Sequence, residues 1–192
     1  LPASLETIDG DAFSGTAALT HIEFPEGLKA IGGGAFYGSG ITEAVLPASV
    51  EEIGMGAFSG CNSLTRLDLS QTAVTSMYDP VSYLPALTEL LLPHGLESGD
   101  GVLPYDSQVE ALVIPDGVTE FSIHGNDSFY PNEALKSIVW SVSLKSASGF
   151  NAAVALETVY YRGSELEWSL IDFGDEAEHF AAVDVVYNYE GE

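Results

Sequence analysis

His21, His94, His124 and His179 are the four histidines of the chain, and Cys61 is its one cysteine. Zinc hydrolysis of the helical kind needs two histidines a turn apart with a glutamate beside them, and the chain has no HExxH and no i, i+4 histidine pair. Neither a GxSxG nucleophile elbow, a P-loop nor a dinucleotide-binding fingerprint is present. Gly32-Gly33-Gly34 is glycine-rich, but it sits in a repeat turn rather than between a strand and a helix. Cys61 follows Gly60 where a repeat turns into its core, so it reads as a small buried apolar residue. Paired carboxylates are abundant, but among 29 acidic residues their proximity carries little information about acid–base chemistry. Four acidic groups could offer oxygens to Ca²⁺: Asp9 with Asp11, Asp100 with Asp106, Asn126 with Asp127, and Asp172 with Asp175 and Glu176. None matches an EF-hand or the nonapeptide calcium repeat, and such clusters arise readily as solvated turns in an acidic chain. The chemistry-bearing residues therefore point away from catalysis: not an enzyme, no cofactor, no metal site.

Charge narrows the partners. The 29 acidic residues face 5 basic ones, for a formal net charge of −24. A polyanion of this kind repels nucleic acid and anionic lipid, and Lys29, Arg66, Lys136, Lys145 and Arg162 are too dispersed to form a basic patch. The same charge predicts good solubility and loose association with divalent cations. A single cysteine excludes an internal disulfide framework and a multi-cysteine zinc site. No apolar run approaches the roughly 18 residues that span a bilayer. The chain begins at Leu1, inside a repeat, and is read as a fragment of a longer protein whose signal and anchor lie outside it.

The elements that would position any site are repeats. Pro2 to Phe24, Pro25 to Leu46 and Pro47 to Leu69 share one skeleton: Pro-x-x-apolar-x-x-Ile, then Ala-Phe-x-Gly, then apolar-x-x-apolar-x-apolar. The period is about 22–23 residues, within the leucine-rich-repeat window. The closing alternation, as in Leu64, Leu67 and Leu69, predicts a short half-buried strand, which Pro25 and Pro47 stop because proline brings no N–H to the ladder. Leu5, Ile8, Ala12 and Phe13 are spaced to point into one core. Leu28, Ile31, Ala35 and Phe36 repeat the set, as do Val50, Ile53, Ala57 and Phe58. Gly15, Gly38 and Gly60 follow each Phe by two residues, where a turn with positive φ is expected.

Four later copies are eroded. Residues 70–92 keep Val74, Met77, Leu87, Leu90 and Leu92, with Tyr83-Leu84 assigned to the Ala-Phe slot. Pro93 to Ile114 is loop-like from Glu97 to Ser107, Pro115 to Trp140 carries extra residues around His124 to Asn132, and Ser141 to Tyr161 is the seventh coil. Residues 1–161 thus read as a solenoid of about seven repeats of 21–26 residues. Residues 162–192 read as a capping segment. In it, Ser164-x-x-Glu167 opens a short helix through Trp168 and Leu170, Asp175 to Ala182 forms a second helical turn, and Val183 to Tyr189 alternates like a last strand. The expected fold is an α/β-type repeat solenoid, a horseshoe or right-handed coil with short parallel strands on one face and irregular turns or short helical segments on the other.

The strings IGGGAFYGSG and IGMGAFSGC, with LP or FP at the strand ends, resemble the BspA-type leucine-rich repeats of bacterial surface proteins. The closing VYYRGSELEW and VVYNYEGE resemble the segment that often follows such repeats in proteins of gut and oral bacteria. The resemblance covers essentially the whole chain and is weaker from Ser70 to Tyr161, where Ala-Phe-x-Gly is lost. It implies export or display on the cell surface, adhesion to host or bacterial partners, and no shared catalytic residues.

Aligned strands place two columns of side chains outward. The first reads His21, Glu43, Arg66, Glu89, Ala111, Ser137, Thr158; the second reads Glu23, Val45, Asp68, Leu91, Val113, Val139, Tyr160, with Val186 as a continuation. Leu91, Val113, Val139 and Tyr160 would make an apolar stripe on the order of 15 Å long. The expected partner-binding face comprises those four with Arg66, Asp68 and Glu89, and it expects a protein partner, from the host or another bacterial surface. A structural spacer that presents another domain, and a glycan-binding module, are the alternatives; aromatic platforms usually mark glycan sites, and the column holds Tyr160 alone.

Overall fold

The structure is a computed structural model that describes residues 1–104, 106–123 and 131–191. Within these residues the chain winds as a solenoid of short parallel strands. One ladder holds Glu43–Val45, Arg66–Asp68 and Glu89–Leu91 in a three-stranded sheet, then Ala111–Val113, Ser137–Trp140, Thr158–Tyr161 and Asp184–Val186 in a four-stranded one. This is the strand face expected from the apolar-x-x-apolar-x-apolar segments.

The structure adds a second ladder on the other side of the coils, where the sequence suggests irregular turns. Thr7–Ile8, Ala30–Ile31 and Glu52–Ile53 form its first sheet, and Ser76–Tyr78, Ser98–Asp100, Glu120–Ser122 and Ser146–Ser148 its second. Its early members have two residues each, too few for alternation to show as a period. All pairings are parallel, and the middle residue of each three-residue strand points inward, so Leu67, Leu90, Leu112 and Met77 are buried.

The core lies between the two ladders. Its early coils are held by a phenylalanine stack: Phe13 on Phe36 at 5.2 Å and Phe36 on Phe58 at 5.4 Å, each with rings inclined by 5°. Phe24 meets Phe36 edge-on at 5.7 Å. A threonine column ties successive coils, Thr42, Thr65 and Thr88 each donating Oγ1 to the carbonyl of the preceding member, Thr20, Thr42 and Thr65. Gly15, Gly38 and Gly60 do take positive φ, at 69°, 63° and 70°.

In the fourth coil the Ala-Phe slot belongs to Pro80-Val81, not to Tyr83-Leu84. The N–H of Phe36 donates to the Ala57 carbonyl, and that of Phe58 to the Pro80 carbonyl, which aligns Val81 with the stacked phenylalanines. Gly60 N–H donates to Ser82, which places Tyr83 in the glycine position, and Tyr83 has φ 56°. Leu84 is buried as well as Val81, so an apolar pattern alone fits either pair, but Tyr83 is 51% exposed and the slot falls three residues earlier.

After residue 162 the Ser164–Glu167 capping box forms, with a helix over Glu165–Trp168. A 3-10 turn at Gly174–Glu176 runs into the helix Ala177–Phe180, and Asp184–Val186 pairs with Thr158–Tyr161 as the last strand of the first ladder. Trp168, Phe173 and Phe180 lie against Trp140 at 5.2, 6.0 and 5.3 Å, so this segment packs its aromatic rings on the core of the final coils. The extra residues from His124 to Tyr130 lie outside the described residues.

Candidate functional site

Strand register reproduces the outward columns of the first ladder from Glu43 and Val45 onward, while His21 and Glu23, expected as their first members, lie in no strand. Glu43, Arg66 and Glu89 are Cα partners, as are Val45, Asp68 and Leu91. Ala111, Ser137, Thr158 and Asp184 continue the first column, and Val113, Val139, Tyr160 and Val186 the second. The strands Glu89–Leu91 and Ala111–Val113 belong to different sheets, so the face is two patches in sequence rather than one unbroken ladder.

Exposure along the second column is uneven. Val45 (54%), Val113 (44%) and Val186 (42%) are the open members, and Leu91 and Tyr160 are half-buried. Val139, expected in the exposed stripe, is corrected to a covered position at 8% exposure. It is a small side chain held in register between Val113 and the larger Tyr160, which shade it from both sides. Tyr160 in turn stacks against Tyr189 at 4.7 Å, as the C-terminal segment returns along the last coil with Tyr189 N–H donating to the Tyr161 carbonyl.

Asp68 is the other corrected member, because it is buried rather than offered to a partner. Its Oδ2 accepts from Arg66 Nη2 at 2.8 Å, and its Oδ1 accepts from the N–H and Oγ of Ser70 at 3.0 and 2.7 Å. Burial pushes the Asp68 pKa up, but the hydrogen bonds from Ser70 and Arg66 outweigh it and hold the carboxyl below its usual range. Arg66 also meets Glu89 at 3.5 Å, and the hydrogen bond to Asp68 followed by the field of Glu89 raises its guanidinium further. Arg66 is therefore a local clamp on the column and not a free cation. Farther along, Lys136 reaches Glu110 at 2.8 Å across neighbouring coils.

The chemistry-bearing side chains are dispersed or committed to the fold. His21 is exposed and approaches Glu23 at 3.8 Å, and His179 packs edge-on to Phe180 at 5.5 Å. Cys61 is fully buried, its Sγ donating to the Phe36 carbonyl at 3.0 Å, and burial pushes its thiol pKa up. Glu176 accepts from the N–H groups of Gly149 and Phe150, Asp172 from Gly174, and Asp106 from Leu84. Among the described residues no group of three or more His, Cys, Asp or Glu is arranged to hold a metal ion, and the Asn126–Asp127 pair lies outside them. No helix among them is long and apolar enough to cross a membrane.

The sequence reading of site residues missed the second ladder's outward side chains. Their signal was present in the alternation of Ser76-Met77-Tyr78, Glu120-Phe121-Ser122 and Ser146-Ala147-Ser148, each with its middle residue buried.

Comparison with known proteins accords with this geometry. The family model described as BspA type leucine rich repeat region (6 copies) matches residues 1–100. A leucine-rich repeat protein from Bacteroides ovatus ATCC 8483, known from its crystal structure, is 26% identical and superposes with a TM-score of 0.53 over 100% of this chain. This chain spans 57% of that protein's length. A leucine rich cell surface protein from Faecalibacterium prausnitzii A2-165 is 18% identical, with a TM-score of 0.42 over 87% of this chain and 66% of its own. The pneumococcal vaccine antigen PcpA is 16% identical, with a TM-score of 0.41 over 98% of this chain and 76% of its own. No curated protein matches the sequence.

Proposed function

The chain belongs to the BspA-type leucine-rich repeat family, and from that premise we propose that it is a non-catalytic protein-interaction module of a bacterial protein displayed or secreted outside the cell. Its binding face is the first ladder. The observation that carries this reading is the second outward column, where, apart from the buried Asp68 and Val139, Val45, Leu91, Val113, Tyr160 and Val186 stand at least partly open beside a mostly polar and charged column. An apolar row with a polar flank is the arrangement of a protein–protein contact, with its hydrophobic centre and solvated rim. Valine also suits a strand by propensity, but open apolar side chains gathered along one line are what a contact surface uses.

The flank is acidic, with Glu43, Glu89 and Asp184 in it, on a chain of net charge −24. The complementary partner surface is an apolar ridge bordered by Lys and Arg, and its association is faster at low salt. Affinity capture from host extracellular and bacterial surface protein preparations, compared between wild type and a Val113→Glu, Val186→Glu double variant, tests the reading. Loss of the captured protein with an unchanged melting temperature supports it. Unchanged capture together with an unchanged oligomeric state overturns it.

A further inference from the structure

The second ladder carries a groove on the opposite side of the coils from the proposed protein face. It crosses the strands Ser76–Tyr78, Ser98–Asp100, Glu120–Ser122 and Ser146–Ser148 and encloses about 650 Å³. That volume falls inside the roughly 300–1,000 Å³ of small-molecule sites. We propose that this groove binds a neutral polyol, a short segment of oligosaccharide.

Register determines what the groove offers. Ser98, Glu120 and Ser146 stand in one outward column, and Tyr78 and Asp100 are partners in the next, with Ser148 farther along it. Tyr78 stands at the first of the four strands with 65% of its surface open. Glu176 stands at the other end, where both of its oxygens are engaged by Gly149 and Phe150, so it is a wall and not a ligand group. Asp100, Glu120, Ser98, Ser146 and Ser148 spend no side-chain hydrogen bond or ion pair on another described residue. On the first ladder, by contrast, Asp68, Glu89 and Glu110 are all paired with Arg66 or Lys136.

The chemistry of these groups selects the ligand. Serine hydroxyls both donate and accept, and carboxylates accept two donors at once, which matches the paired hydroxyls of a sugar ring. The side chains of a Lys- or Arg-rich peptide only donate, so the serine O–H groups would depend on its backbone carbonyls for acceptors, whereas every hydroxyl of a sugar both donates and accepts. Among the described residues no basic side chain lines the groove, which disfavours an anionic ligand on charge, and none of them forms a metal-competent cluster, which disfavours a divalent cation. An open tyrosine ring supplies the flat apolar surface on which the C–H face of a sugar packs.

Calorimetric titration of the 192-residue chain with maltotetraose, cellotetraose, chitotetraose and tetralysine tests the proposal. Binding of at least one of the three tetrasaccharides is expected. It should weaken about tenfold or more in Tyr78→Ala and in the isosteric double variant Asp100→Asn, Glu120→Gln, while Val113→Glu on the other face leaves it unchanged. No tetrasaccharide binding at about 10 mM, binding of tetralysine alone, or saccharide binding indifferent to both groove variants overturns the proposal. Because Val113→Glu disables only the protein face, failure of this proposal and failure of the first-ladder reading are separate results.

Discussion

Replacing Phe36 with alanine tests the phenylalanine stack as the spine of the early coils. Phe36 is fully buried, lies between Phe13 and Phe58 at 5.2 and 5.4 Å, and takes the edge of Phe24 at 5.7 Å. Removing a buried phenylalanine costs about 3–5 kcal/mol in lost transfer energy and residual cavity. The upper half of that range applies here, because the flanking rings are held by their own coils and cannot close the gap. Phe13, half-buried on the first coil, has one stacking neighbour, so Phe13→Ala should cost roughly half as much. A solenoid's stability is close to a sum of neighbour terms, so the loss falls mainly on the coils it separates. Urea unfolding followed by two probes resolves this, since both tryptophans, Trp140 and Trp168, pack together near the C-terminal end. Far-UV circular dichroism of Phe36→Ala should lose part of its amplitude at lower urea while the tryptophan signal shifts less. A cost below about 1.5 kcal/mol, or one no larger than that of Phe13→Ala, would refute the reasoning.

Gly38→Ala should destabilise by about 1–2 kcal/mol in the same assay, purely through the backbone, since an added Cβ meets nothing within 4 Å while φ stays at 63°. Asp68 predicts an acid-sensitive contribution. Its folded pKa lies below the unfolded value of about 3.9, so the stabilisation is complete above that pH and is lost as pH falls through the folded pKa. Asp68→Asn should therefore cost about 1–2 kcal/mol at pH 7, and the gap to wild type should narrow steadily below about pH 4. Cys61 should resist thiol reagents in the folded state and react on unfolding, as its burial and its bond to the Phe36 carbonyl dictate.

Much of the fold was legible because the first three copies repeat one core set, although Ala12 on the open first coil is exposed, and the register of Glu43 with Arg66 and Glu89, or Val113 with Val139 and Tyr160, follows from aligning the strand segments of successive coils. What stayed hidden depends on neighbours and not on period. Val139 is covered by its ladder partners, and Asp68 is drawn inward by Arg66 and Ser70; a column read from sequence has direction but no shading. Tyr83 takes a left-handed turn that its residue type does not announce, so the Ala-Phe slot of that coil lies three positions before Tyr83-Leu84. The second ladder escaped because its first strands are shorter than one alternation, and the groove across its later strands was missed with it.

The claim at the centre of this account is that the apolar column of the first ladder is where a partner protein sits. A photo-crosslinking residue placed at Val113, in the intact chain, reads this most directly when compared with the same residue at Glu51, an exposed position outside both outward columns. Exposure to the extracellular protein preparations above should give a discrete adduct from position 113 that weakens with added salt, and none from position 51. Equal labelling from both positions, or none from 113 under conditions where the wild-type chain captures a partner, would contradict it.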